Sequence, residues 1–277
     1  MSTTNPSVTA PSSVSFVAVC RARAVAEIKA FLRQKESVVF TLLFPVMMLI
    51  LFGFIFGHNA IGGSVNFSTY FVAGMIGAGV LASSFQNLAI QIPIERDDGL
   101  LKRLRGTPMP KAAYFGGKIV MVLFVMVLEV ILLAIVGALF FGLRLPADAT
   151  RWGVLVALLL LGTAAMTLLG IGFSSVPKNG SSAPAMVTPV ALVLQFISGV
   201  YFVFSALPGW LQSVAAIFPL KWLTQGLRYV FLPDGARVNE AAGSWELGKV
   251  FGILAIWAVA GLVLCITTFR WRNKTDG

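Results

Sequence analysis

The chain has 277 residues, is 57% hydrophobic and has a mean hydropathy of +0.87, above the about 45–50% apolar content of soluble globular domains. A membrane-crossing helix needs about 20 apolar residues; six stretches satisfy this, and no room remains for a soluble catalytic domain. The net charge of +10 sits beside those stretches, which points to membrane topology and anionic headgroups and away from nucleic acid.

In chain order, residues 1–14 are rich in Ser, Thr and Pro without charge and read as a disordered cytoplasmic tail. They are no signal peptide, because the apolar run starts only near Val38 and no cleavage site follows it. Residues 15–277 form one transmembrane domain. From Phe16 to Lys35 the pattern is helical and amphipathic: Val17, Cys20, Ala24, Val25, Ile28, Phe31 and Leu32 share one arc, and Arg23, Glu27, Lys29, Arg33 and Gln34 take the rest. Such a helix suits the headgroup plane, and packing on protein is the alternative.

The six spans are expected at about 38–56, 71–92, 114–143, 152–174, 183–204 and 250–269. Pro45 is expected to kink the first. His58, the single histidine, lies in the loop after that span and is assigned no chemistry. In the second span Gly74, Ala78 and Ala82 recur every four residues, the spacing that lets helix backbones approach. Ser84, Asn87 and Gln91 form a polar stripe facing another helix or a pathway. Glu129 sits midway along the third span. An ionisable group there is either part of a pathway or a protonated carboxyl hydrogen-bonded inside the bundle. With Asn87, Gln91 and Gln195 it makes the set of pathway candidates.

Between spans two and three lies a polar island, the loop 93–111, with Glu95-Arg96-Asp97-Asp98-Gly99-Leu100-Leu101-Lys102-Arg103-Leu104-Arg105 at its centre. Leu100, Leu101 and Leu104 share one side of a short helix that Asp97 or Asp98 can cap. Lys102, Arg103 and Arg105 crowd its last turn, and Gly106 with Pro108 closes it. A charged helix with a leucine edge, held between two spans, suits docking of a soluble partner.

Pro177–Ser182 is a tight turn. Ser205–Lys249 is broken by Pro208, Pro219 and Pro233 into pieces too short to span; these read as external interfacial or re-entrant helices, with Trp210, Trp222 and Trp245 at headgroup level. Fifteen of the 21 Lys and Arg fall on one side if the N-terminus, the island, the 177–182 turn and the C-terminus are all cytoplasmic. The positive-inside rule therefore places both termini in the cytoplasm.

Motifs for chemistry are missing. Gly243 to Lys249 has the spacing of a phosphate-binding loop, but Val250 replaces the magnesium-holding Ser or Thr and no strand precedes it. There is no H-E-x-x-H, no C-x-x-C and no G-x-S-x-G, and Cys20 and Cys265 make no disulfide framework or metal-ligand pattern. No catalytic residue and no metal site is expected.

The run Glu95 to Leu104, then Thr107-Pro108-Met109-Pro110 and Gly117-Lys118, resembles the signature of ABC-2 type permeases, the membrane subunits of ATP-binding-cassette exporters, and among them the daunorubicin-resistance membrane-protein branch. Leu207 to Gln212, Phe218-Pro219-Leu220 and Gly226-Leu227-Arg228 also match. The resemblance covers nearly the whole chain after the tail. It implies an all-α polytopic fold in the inner (cytoplasmic) membrane, with six transmembrane helices, an N-terminal interfacial helix and short external helices before the last span. It implies a separate cytoplasmic ATPase that binds ATP and magnesium, so this chain itself carries no cofactor. That ATPase would grip Glu95, Arg96, Asp98, Gly99, Leu100, Leu101, Lys102, Arg103 and Leu104 and the 177–182 turn, with the leucines filling a groove on the ATPase. Six spans imply half a pathway, and hence a homodimer or a pairing with a similar permease. With 22 Phe and 4 Tyr, the expected cargo is a lipophilic drug, antibiotic or lipid. Polysaccharide or glycolipid export is the alternative, and so is a non-transport membrane partner of an ATPase.

Overall fold

The computed structural model describes residues 15–57, 59–62, 65–107 and 109–269. The 1–14 tail, His58, Pro108 and the basic C-terminus from Arg270 lie outside the described residues.

The chain is all-α apart from one two-residue hairpin, β1 (Ala60–Ile61) against β2 (Val65–Asn66). Its helices are α1 (Phe16–Arg33), α2 (Lys35–Phe56), α3 (Phe67–Asp97), α4 (Leu100–Arg105), α5 (Lys111–Phe141) and α6 (Ala149–Phe173). They continue with α7 (Ala183–Ile197), α8 (Gly209–Ala215), α9 (Pro219–Phe231) and α10 (Leu247–Thr268). Among the described residues five are long and apolar enough to cross a membrane: α2, α3, α5, α6 and α10.

The central helix is α3, buried almost continuously from Tyr70 to Leu81. Gly74 lets the backbone beyond α7 come close: a Cβ there would lie 2.9 Å from the Val200 carbonyl oxygen. The small-residue face of this helix thus meets a loop backbone as well as other helices.

The expected fifth span, 183–204, is shorter than its apolar run suggests. Helix α7 stops at Ile197, and its 15 residues rise only about 22 Å, less than the about 30 Å hydrocarbon thickness. Gly199 adopts φ 72° and turns the chain. The interrupted backbone is then held by α9: Thr224 Oγ1 donates to the Ser198 carbonyl at 3.0 Å, and Arg228 Nη1 donates to the Gly199 carbonyl at 3.1 Å. Helix α9, 13 residues long, is buried on nearly every side among α3, α6 and α10. Trp222 belongs to that buried set, whereas Trp210 is 69% exposed. Burial of Trp222 corrects its assignment to a headgroup belt; its indole N–H donates to the Ala216 carbonyl instead.

Two helices contain a π-helical turn, at Val39–Leu43 in α2 and at Ala82–Gln86 in α3. The first directly precedes Pro45, which has no N–H to give the Thr41 carbonyl, so the helix widens there.

Helix α1 packs along α5. It buries Ala24, Glu27 and Phe31 and leaves Val17, Val25 and Leu32 exposed. Its apolar arc is therefore split between protein and surroundings, and Glu27, expected on the polar face, is buried.

Candidate functional site

The island is the end of a helix rather than a separate loop. Helix α3 carries Glu95, Arg96 and Asp97 in its last turn, and Gly99 at φ 72° reverses the chain into α4. Neither aspartate caps α4; Gly99 occupies the cap position without a side-chain bond. Asp97 Oδ2 instead accepts the Gly180 N–H at 2.5 Å, and Arg96, buried, donates from Nη2 to the Ser174 carbonyl at 3.3 Å. Gly180 is pressed against α3, where an added Cβ would stand 2.7 Å from the Ile94 Cα. The structure thus brings together the two segments singled out in the sequence, the island and the 177–182 turn.

Within α4 the side chains divide. Asp98, Lys102 and Arg103 are exposed, Leu100 and Leu104 half-buried, and Leu101 wholly buried. Leu101 turns into its own chain, so of the three leucines expected to meet a partner only Leu100 and Leu104 keep exposed surface. A six-residue helix hung from a glycine turn needs one anchoring side chain on its inner face, and Leu101 is it.

Glu95 anchors the root of the island. Its Oε2 accepts the Tyr114 hydroxyl at 2.7 Å, and its Oε1 pairs with Lys118 Nζ. Lys118 also pairs with Glu27 Oε2 at 2.9 Å, and Glu27 Oε1 pairs with Arg23. The Tyr114 ring lies 5.4 Å from the Arg23 guanidinium and 5.7 Å from the Lys118 ammonium. Lys118 is 1% and Glu27 6% exposed, so two cations and two carboxylates neutralise one another away from solvent. Charges held this way are tolerated only if each remains paired. The network joins α1, the end of α3 and the start of α5. The sequence pointed to Glu95 as a site residue but put Arg23 and Glu27 only on the polar arc of the first helix, gave Tyr114 no role, and offered Lys118 only as part of the family resemblance. The signal was present: Arg23 and Glu27, like Tyr114 and Lys118, are four apart and share a helix face.

Beside this network a cleft of about 620 Å³ opens between α1 and α2 on one side and α3 and α7 on the other. Three of the four pathway candidates, Asn87, Gln91 and Gln195, line it. Glu129 does not. It is 1% exposed, packed on Gly79 at the α3–α5 contact, and neither carboxyl oxygen has a hydrogen-bond partner among the described residues. The expected hydrogen bond inside the bundle is therefore not made among the described residues, and Glu129 stands at a helix contact away from this cleft.

The polar stripe also changes membership. Ser84 is buried and bonds back to the Val80 carbonyl, while Gln86 lines the cleft and donates weakly to Thr188 Oγ1 at 3.4 Å. The π turn at 82–86 inserts an extra residue into the helical phase and rotates the remainder of the helix.

At the opposite end of the molecule, Arg228 of α9 is fully buried in an ion pair with Glu240, Nε to Oε1 at 2.5 Å and Nη2 to Oε2 at 3.2 Å. Its guanidinium lies 4.7 Å over the Tyr70 ring, and the Tyr70 hydroxyl accepts the Phe204 N–H at 3.0 Å. This cluster pins α9, the segment after α7 and α3 together.

Comparison with known proteins gives a consistent picture. The profile of the ABC-2 type transporter family matches residues 19–232. The Escherichia coli protein named inner membrane transport permease YadH is 28% identical over 236 residues, covering 81% of this chain and 85% of its own. A Streptomyces coeruleorubidus protein named daunorubicin resistance ABC transporter permease protein DrrB1 is 23% identical over 265 residues, covering 91% and 84%. The Bacillus subtilis putative transport permease YvfS is 22% identical over 229 residues, covering 83% and 85%.

Proposed function

Because the chain belongs to the ABC-2 type transporter family, we propose that it is the permease subunit of an ATP-driven exporter in the cytoplasmic membrane, with both termini in the cytoplasm. Its energy comes from a separate ABC ATPase that binds ATP and magnesium. The ATPase rests on the exposed face of α4, where Lys102 and Arg103 set orientation and the half-buried Leu100 and Leu104 supply apolar contact. Two such permease chains, identical or similar, enclose the full path, and a lipophilic drug, antibiotic or lipid is carried outward. The relative named for daunorubicin resistance supports the lipophilic cargo.

The observation that carries this reading is the continuity of the island with the bundle. A push on α4 is delivered at Glu95, and Glu95 is held by Lys118 and Tyr114 of α5 and through Lys118 by Glu27 of α1. The same push reaches the 177–182 turn through Asp97 and Gly180. Glu27, Glu95 and Lys118 also line the cleft, so displacement of one helix end reshapes the cavity wall.

The test is purification of the tagged chain from its own membrane in mild detergent, with assay of the accompanying ATPase. The expected result is a co-purifying ATPase that is lost in Leu104→Asp, and transport uncoupled from ATP hydrolysis in Arg103→Glu. A chain that emerges folded and alone, or an Arg103→Glu variant with full transport, refutes the proposal.

A further inference from the structure

Both walls of the cleft mix polar and apolar residues, but carboxamides gather on one and aromatic rings on the other. One wall, from α3 and α7, carries Gln86, Asn87, Gln91, Thr188 and Gln195. The other, from α1 and α2, carries Phe31, Phe40 and Phe44, with Gln34, Ser37 and Thr41 between them; Ser37 donates its hydroxyl to Gln34 Oε1 at 3.1 Å. A largely apolar pocket with a few convergent polar groups is the usual form of a small-molecule site.

The carboxamides are underused. Gln195, 8% exposed, accepts the Tyr201 hydroxyl at Oε1 (2.8 Å), which leaves its NH₂ group to donate. Asn87 has only a 3.9 Å contact to the Met121 sulfur, and Gln86 only the 3.4 Å bond to Thr188, among the described residues. Gln91 takes part in no side-chain hydrogen bond among the described residues. A carboxamide offers two donors and an acceptor with two lone pairs, so this wall presents both kinds of hydrogen-bonding group along its length.

Ionic groups offer a ligand little. Glu27, Glu95 and Lys118 at the cleft are neutralised by one another and by Arg23. Glu36 stands exposed at the mouth. A charged ligand entering the interior would shed its hydration without meeting an available counter-charge, which is costly in a low-dielectric site. An uncharged hydroxyl- or amide-bearing head meets no such cost.

The geometry points to a binding site in this cleft for an amphipath whose head is uncharged and hydrogen-bonding, a neutral glycoside or polyol on an apolar body, with the head on the carboxamide wall and the body on the phenylalanine wall. This deepens the transporter reading and rests on it for the claim that the ligand is cargo; the binding itself does not depend on an ATPase.

The experiment uses the full chain in copolymer-formed native discs, so that no glycosidic detergent competes. Radiolabelled dodecyl maltoside is the probe, and binding is measured above partition into discs lacking the protein. Competitors share the alkyl tail and differ in head: unlabelled dodecyl maltoside, dodecyl phosphate and dodecyltrimethylammonium. Saturable binding displaced by the maltoside alone is expected. Gln91→Leu and Gln195→Leu should each weaken it about five-fold, the loss of roughly one hydrogen bond. Gln195→Glu should weaken the maltoside and admit the ammonium head. Gln91 has no side-chain partner among the described residues to lose on mutation, so its leucine variant also controls for folding.

Absence of saturable binding, equal displacement by either charged head, or unchanged affinity in both leucine variants overturns the assignment. Discs from the same preparations are assayed for the associated ATPase. Maltoside binding without an ATPase supports the site while removing the transporter reading, and an ATPase without maltoside binding removes the site alone.

Discussion

Lys118 is the cation on which the charged network turns, and its removal has a calculable consequence. In Lys118→Met the aliphatic stem is replaced by one of similar length, but Glu95 loses its cation and Glu27 keeps only Arg23. The four charges sum to zero in the native chain and to one excess negative charge in the variant. Removing one partner of a buried pair costs about 3–5 kcal/mol. At roughly 2–4 °C per kcal/mol for a chain of this size, taken at the lower cost, the midpoint should fall by about 6–12 °C. Thermal unfolding of the purified chain, followed by tryptophan fluorescence in one fixed detergent, reads this directly. Adding Glu95→Gln restores neutrality, keeps an acceptor for the Tyr114 hydroxyl, and should recover at least about half of the loss, because contacting groups couple by roughly 0.5–3 kcal/mol. A single variant within about 2 °C of the native chain, or a double variant that loses the sum of the two single effects, would refute the claim that these residues act as one buried unit.

Three other perturbations have defined outcomes. Gly180→Val places a side chain where a Cβ would already lie 2.7 Å from the Ile94 Cα; the turn should lift from the island, and ATPase co-purification should drop at least about five-fold, roughly 1 kcal/mol of binding, while the permease's own elution in gel filtration matches the native chain's. Glu129→Gln should leave transport and the thermal midpoint nearly unchanged, within about 1 kcal/mol, because neither oxygen has a hydrogen-bond partner among the described residues; a transport-dead Gln variant with native stability would return Glu129 to the pathway. Arg228→Met should cost about 3–5 kcal/mol by stranding the buried Glu240, and Arg228→Met with Glu240→Leu should regain folded yield in a detergent-stability assay.

The parts of this fold that are legible in the sequence are those governed by composition over long windows. Helices α2, α3, α5, α6 and α10 follow from apolar runs of sufficient length, with ends within a few residues except at α3, which begins before Phe71 and runs on to Asp97. The island is legible because a charged segment between two spans has few structural uses. Positions that depend on tertiary contacts are not legible. Helix α7 ends early because Gly199 turns and the side chains of Thr224 and Arg228, about 25 residues later, take over its orphaned carbonyls. Leu101 carries the same local pattern as Leu100 and Leu104; only tertiary packing decides which of the three faces inward.

The cleft shows the same limit at finer scale. A regular helix places Ser84, Asn87 and Gln91 on one stripe, and the sequence alone predicts that stripe. The π turn at Ala82–Gln86 adds a residue to the phase, removes Ser84 to the interior and brings Gln86 to the wall. No local residue preference marks that turn. The second π turn, at Val39–Leu43, faces the same cleft and contributes Phe40 and Thr41. Single π turns inside α-helices are rare and frequently mark functional sites, and here one lies on each wall of the same cavity.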